Sequence, residues 1–152
     1  DMHVCAWSAN LTQERCDELG VTHMATKEDL LRASDFVTIH QRLSDRTHGL
    51  IGTNELKQMK PTAYLINTSR GPIIDDTALI DALNSGEIAG AALDVYDNEP
   101  LPVSHPLRHC DGLLLSPHLG YVTRNTWNVF YGQTVEAILA WQNGKPIRVI
   151  EP

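Results

Sequence analysis

The sequence predicts an α/β domain built on a mostly parallel, doubly wound sheet. Three observations carry that expectation. Short apolar runs alternate along the chain with segments whose apolar residues recur every three or four positions, which is the pattern of βαβ units. One run, Ala63-Tyr64-Leu65-Ile66-Asn67, is continuously apolar, as a strand is when both faces of its sheet are covered. The composition is that of a single globular domain: 152 residues, 42% of them apolar, with 19 acidic against 12 basic side chains, enough chain to bury a core without staples.

The elements follow in order. Met2 to Trp7 reads as a strand bounded by Ser8-Ala9-Asn10. A helix follows, with Leu11, Arg15, Cys16 and Leu19 at helical spacing and Gly20 as its C-cap. Thr26-Lys27-Glu28-Asp29 resembles a capping box with Asp in the Glu position, and Leu30, Leu31 and Ala33 supply the buried stripe. Asp35 to His40 is the next strand, and a polar connection, Gln41 to His48, leads to a short helix capped by Thr53 and stopped by Pro61. After the Ala63–Asn67 strand, Thr68 to Pro72 breaks the pattern. Asp75 then starts a helix in which Leu79, Ile80 and Leu83 share a face, ended by Gly86, and Ile88 to Val95 is a strand. Tyr96 to Gly112 is long and irregular, with Pro100, Pro102 and Pro106. Such a loop inside a compact domain is usually functional. Leu113-Leu114-Leu115 is a short strand, Pro117 to Gly120 a loop, and Thr123 to about Asn143 a helix striped with Trp127, Phe130, Ile138 and Trp141, which is expected to be core or domain contact. Ile147 to Ile150 is an extended tail.

Composition also excludes several classes. A net charge of −7 without a Lys/Arg block argues against a nucleic-acid surface, because phosphate contacts need clustered positive charge. No run approaches the ~20 apolar residues of a membrane helix, and the start of the chain lacks a signal peptide's basic and apolar regions. With three widely spaced cysteines, Cys5, Cys16 and Cys110, the expectation is a reduced, cytoplasmic protein. His105, His109, Cys110 and His118 lack the paired Cys-x-x-Cys spacing of a zinc site, so no metal is expected.

Ligands of doubly wound sheets sit beyond the carboxyl ends of the strands. The polar residues there include Ser8, His40, Thr68 to Arg70, Asp94 and His118. Arg70, Glu99 and His118 form a chemically coherent set. A guanidinium fork binds a carboxylate or polarises a carbonyl. A histidine exchanges the proton of a hydroxyl near neutral pH, and a glutamate beside it fixes its tautomer.

Three segments carry a resemblance. Lys60 to Asp75 (KPTAYLINTSRGPIID), Gly90 to Pro100 (GAALDVYDNEP) and Leu115 to Gly120 (LSPHLG) are similar, in order and separation, to the signature segments of the NAD(P)-dependent D-isomer-specific 2-hydroxyacid dehydrogenases. The resemblance implies a Rossmann-like fold and hydride transfer between nicotinamide and a small 2-hydroxy or 2-keto acid. It gives Arg70 the substrate's carboxylate and carbonyl, His118 the acid/base role and Glu99 the role of its partner. Asp94 falls near the nicotinamide carboxamide. Thr68, Ser69 and Gly71 fall in the turn approaching the cofactor, with His40, Arg42 and Gly120 lining the site.

The sequence departs from the family in two places. No Gly-x-Gly-x-x-Gly loop occurs, so the expectation is a partial nucleotide-binding domain over residues 1–152 that lacks its first strand and pyrophosphate cradle. The substrate domain is expected to be absent, except for what residues 123–152 supply. In the strand order 3-2-1-4-5-6 the missing strand is central. The remaining edges are expected either to close the gap by shifting or to pair with a second copy, giving a homodimer. Ser8 stands where NAD-specific members carry an acid, with Arg15 as the nearby cation, which tilts the cofactor toward NADP over NAD. An isolated chain of this kind is expected to be inactive. The alternative is a non-catalytic, self-associating domain or truncated gene product.

Overall fold

Residues 2–150 are described by a computed structural model. Asp1, Glu151 and Pro152 lie outside the described residues. The chain divides into two units, one reaching to His118 and one starting at Leu119.

The first unit runs β1 (Cys5–Ala6), α1 (Gln13–Leu19), β2 (Thr22–His23), α2 (Lys27–Ala33), β3 (Phe36–Ile39), α3 (Thr53–Leu56), β4 (Tyr64–Asn67), α4 (Asp76–Ser85), β5 (Gly90–Leu93) and β6 (Leu113–Leu115). Its helix ends follow from local chemistry. The hydroxyls of Thr12 and Thr26 accept from the backbone N–H groups of Arg15 and Asp29, and the Asp75 carboxylate accepts from Ala78 N–H. Each bond satisfies one donor left open by the first helical turn. Gly20 and Gly86 end α1 and α4 with φ near 67° and 71°, a left-handed conformation that costs glycine nothing. At α3 the cap differs from the expectation. Gly52, not Thr53, is the N-cap, and Glu55 accepts its N–H at 3.1 Å. Lys27 donates to the same carboxylate at 2.8 Å, and this pairing contributes to holding Glu55 below its ordinary range despite partial burial.

β3-β4-β5-β6 form one parallel sheet, with Val37 opposite Leu65, Leu65 opposite Ala91 and Ala91 opposite Leu113. One face is closed: Val37, Ile39, Leu65 and Leu93 pack with Leu31 of α2, Leu56 of α3 and Leu79 of α4 in a single core. The other face of β3 and β4 is open among the described residues, where Phe36 and Tyr64 remain 58% and 44% exposed and stack with ring centroids 5.6 Å apart. The expectation of cover on both faces of β4 is thus met on one.

β1 and β2 form a separate parallel pair, Cys5 opposite Thr22. β2 escaped the sequence reading because two residues, Thr and His, carry no apolar run. The gap expected between β1 and β3 is not closed by shifted strands: among the described residues β1 pairs only with β2 and β3 only with β4. The stretch from Tyr96 to Gly112 is less irregular than expected, since Pro106–His109 form a 3₁₀ turn capped by His105.

The second unit is dominated by α5 (Arg124–Gln142), N-capped by the Thr123 hydroxyl. None of its residues is buried, so its aromatic stripe is exposed rather than core. Glu136 and Arg148 pair at 2.7 Å within this unit. No helix among the described residues is long and apolar enough to cross a membrane.

Candidate active site

The carboxyl end of β4 is shaped by one buried amide. Asn67 ends the strand 1% exposed. Its Oδ1 accepts the N–H of Ser69 at 2.9 Å, and its Nδ2 donates to the carbonyl of Arg70 at 2.8 Å. The Ser69 hydroxyl donates to Ile39 O at 2.7 Å, tying the turn to the end of β3. The chain therefore leaves the sheet at Arg70 with its backbone held from both sides, while the guanidinium stays exposed and donates to Ser69 O at 2.6 Å. Gly71 follows at the start of a 3₁₀ turn and lies against the Tyr96–Asp97 peptide so closely that a Cβ would sit 2.0 Å from Tyr96 C.

That close approach sets the Arg70 turn beside the loop after β5. Asp94 is buried there, with its N–H donating to Asn67 O at 3.0 Å. Tyr96 follows, its hydroxyl 2.8 Å from Ser116 O and 3.1 Å from Leu93 O, and its N–H donating to Glu99 Oε1 at 2.9 Å. The other Glu99 oxygen lies 2.6 Å from His118 Nδ1. Tyr96 is thereby fastened to both loops of the pair: its ring reaches the carbonyl two residues before His118, and its backbone holds Glu99.

The His118 hydrogen bond first, then the Tyr96 N–H, and more weakly the Arg70 charge, hold the Glu99 carboxyl below its ordinary value. An ionised carboxylate only accepts, so Nδ1 carries a hydrogen in both states of the ring. Nε2 is then the nitrogen that gains or loses the proton. His118 has φ of 58°, a left-handed conformation that costs a non-glycine residue about 1–2 kcal/mol and is typical of residues whose placement matters more than their comfort.

Two hollows lie along this end of the sheet. One, of about 530 Å³, is lined by Glu99, Leu101, Arg108, Ser116 and His118 among others; Arg108 is fixed there by Leu101 O and Pro102 O at 2.6 and 2.9 Å. The second, of about 470 Å³, is lined by His40, Gln41, Arg42, Leu43, Thr68, Ser69 and Arg70, so it gathers five of the residues singled out from sequence. His40 in it is exposed and bonded to Thr38 at 3.0 Å. Ser8, just after β1 of the other sheet, lines neither hollow, and Gly120 belongs to the second unit. No group of three or more His, Cys, Asp or Glu side chains among the described residues could hold a metal ion. Asn67, Tyr96 and Arg108 were missed as site residues. For Asn67 the available signal was a lone amide closing an apolar strand.

The fit to a dinucleotide is partial. The second hollow offers polar and cationic groups at strand ends, as a nicotinamide and a substrate carboxylate require, whereas these 152 residues contain no Gly-x-Gly turn that would admit a pyrophosphate to a helix N-terminus.

Comparison with known proteins bears on the family and the fold. The sequence model for "D-isomer specific 2-hydroxyacid dehydrogenase, NAD binding domain" matches residues 1–120. A glyoxylate reductase of Aeropyrum pernix is 44% identical over 144 residues, which are 95% of this chain and 43% of that protein. Among solved structures, a phosphoglycerate oxidoreductase from Vibrio cholerae superposes with a TM-score of 0.85 at 31% identity, covering 94% of this chain and 46% of that one. The NAD-complexed D-isomer specific 2-hydroxyacid dehydrogenase of Lactobacillus delbrueckii ssp. bulgaricus gives a TM-score of 0.78 at 29% identity, covering 97% and 48%. The chain thus spans less than half the length of each of these relatives.

Proposed function

Because the chain belongs to the D-isomer specific 2-hydroxyacid dehydrogenase family, we propose that it carries the acid/base and carboxylate-binding machinery of an enzyme interconverting small 2-keto and D-2-hydroxy acids. The observation that supports this most is the Glu99–His118 pair at 2.6 Å, near enough to Arg70 for the guanidinium charge to act on Glu99. A nicotinamide, when bound, would supply or remove the hydride. Arg70 holds the substrate's carboxylate through two parallel N–H bonds. In reduction, His118 Nε2–H gives its proton to the oxygen that was the carbonyl, and the ionised Glu99 stabilises the ring in its charged form. In oxidation, neutral Nε2 takes the hydroxyl proton. His40, Arg42, Thr68, Ser69 and Asp94 are the residues that would hold the nicotinamide end, and Ser8 would serve the adenosine ribose.

NADPH is proposed as a cofactor alongside NADH, with NADPH favoured. Ser8, Ala9 and Asn10 after β1 include no carboxylate to repel a 2′-phosphate. Arg15, the nearest cation in sequence, is paired with Glu18 at 2.7 Å, which tempers the preference. The 152 residues alone transfer no hydride, because orientation of the two reactants supplies much of the barrier reduction and no phosphate cradle is present to provide it.

The test is a graft. This chain replaces the matched 144 residues of the Aeropyrum pernix glyoxylate reductase, and NADH- and NADPH-dependent reduction of glyoxylate and hydroxypyruvate is followed. A cooperatively folded graft that reduces neither acid overturns the proposal. A second reading, a self-associating domain without catalysis, is favoured by the split sheet, whose β1 and β3 edges are pairing templates. Light scattering that gives a monomeric mass at micromolar concentration rejects it.

A further inference from the structure

We propose that Asn67 is the positioning residue for Arg70. The inference rests on the reading of Arg70 as the carboxylate-binding group. Asn67 is a buried polar side chain at the end of a core strand. Burying an amide there is unfavourable unless its groups are satisfied, and both of its bonds go to the turn that carries Arg70: Oδ1 to the N–H of Ser69 at 2.9 Å and Nδ2 to the carbonyl of Arg70 at 2.8 Å. The side chain thus bridges the residue before Arg70 and Arg70 itself. Its own backbone is held in the sheet, in register with Ile39 on one side and Leu93 on the other, and Asn67 O accepts the N–H of Asp94 at 3.0 Å. The rigid sheet therefore dictates the direction in which Arg70 leaves the turn. Arg70 is exposed and makes no ion pair within 4 Å among the described residues, and the hydrogen bond of its guanidinium to Ser69 O, at 2.6 Å, stays within the turn that Asn67 holds.

Only an amide does this job at neutral pH, because the turn needs an acceptor on one side and a donor on the other. Asn67→Asp keeps the shape but presents a carboxylate oxygen to the Arg70 carbonyl, and the repulsion between the two turns the carboxylate away, so that the Ser69 N–H loses its acceptor as well. A protonated carboxyl restores the donor. This variant should therefore lose the turn near neutral pH and regain it in acid, a recovery that a general loss of packing does not produce.

The measurement is amide exchange of Ser69 by NMR in the 152-residue chain, read against Leu65 in the same strand so that global destabilisation cancels. Alongside it, the Arg70 side-chain Nε–H resonance is followed during titration with glyoxylate. For Asn67→Asp at neutral pH the Ser69 amide is expected to exchange about tenfold faster relative to Leu65, the scale of one lost hydrogen bond to a charged or buried group, and the glyoxylate affinity to fall by a similar factor. Both recover as the introduced carboxyl takes up a proton, above its ordinary pKa because it is buried. Asn67→Ser, too short to bridge both groups, shows the same acceleration without recovery. Unchanged Ser69 exchange in either variant, or an acceleration in Asn67→Asp that does not reverse in acid, overturns the proposal. If glyoxylate leaves the Arg70 resonance of the wild type unmoved, the carboxylate-binding reading of Arg70 fails, and the exchange data still decide whether Asn67 holds the turn.

Discussion

Replacing Gly71 by alanine should separate the two halves of the site. The backbone at Gly71 is not left-handed, so an alanine there carries no conformational penalty of its own. The obstacle is steric. The new Cβ would lie 2.0 Å from Tyr96 C, 2.3 Å from Asp97 N and 2.4 Å from Tyr96 O, whereas ordinary contact begins at 3.4 Å. All three neighbours are backbone atoms, and Tyr96 is anchored by its hydroxyl at 2.8 Å from Ser116 O and by its N–H at 2.9 Å from Glu99. The loop must move back by more than an ångström, drawing Glu99 from His118. Overpacking that forces a backbone shift costs about 2–3 kcal/mol, which for a chain of this size lowers Tm by roughly 5–10 °C. Calorimetry of the two proteins measures the loss, and the His118 ring resonances report whether the hydrogen bond to Glu99 survives. A variant melting within a degree of wild type, with those resonances unchanged, would show that the Gly71–Tyr96 contact does not hold the site together.

Other perturbations follow from the same geometry. Tyr96→Phe removes the hydroxyl that reaches Ser116 and Leu93 and should cost about 1 kcal/mol in chemical denaturation while leaving the Tyr96 N–H bond to Glu99 in place; no change in midpoint would mean the hydroxyl contributes nothing. Glu99 is held below its ordinary value of 4.5, chiefly by the hydrogen bond from His118. Its contribution to stability is complete above that value and lost as pH falls through the folded one, so Glu99→Gln should narrow the acid-side fall of Tm, and identical acid limbs would refute this. Asp76 behaves in the opposite sense, since burial, reinforced by Asp97, raises its carboxyl above 3.8. Stability is therefore lost as pH rises through the raised value, and Asp76→Asn should gain on wild type above that range; a Tm difference that is flat with pH contradicts the assignment.

Most of the fold was legible because its signals are local. Thr12, Thr26 and Asp75 cap helices by bonds to residues three positions on, and Gly20 and Gly86 end them by backbone conformation, all within one turn of chain. Apolar runs at Val37, Leu65 and Leu93 declared the sheet. Most of what was not legible depends on partners distant in sequence. β2 is two residues long and exists because β1 pairs with it. Gly52 displaced Thr53 as the cap because Glu55, itself held by Lys27 from another helix, takes the Gly52 N–H. At the site, Arg70, Glu99 and His118 could be named from residue type and resemblance, but composition gives no sign that Tyr96 joins two of their loops or that Asn67 fixes the third. The Tyr96 hydroxyl meets Ser116 O only when segments 20 residues apart are brought side by side, whereas the Asn67 bonds span two and three residues and depend on the turn closing back over a buried amide.

The most direct test of the acid/base assignment is the rate of glyoxylate reduction by the graft with His118→Gln and Arg70→Lys set beside the unmodified graft. Loss of positioned proton transfer should lower kcat by about 10²-fold or more in His118→Gln, while Arg70→Lys, which keeps the charge but not the fork, should raise KM far more than it lowers kcat. If His118→Gln retains the rate of the unmodified graft, the Glu99–His118 pair is not the proton donor, and the central claim fails.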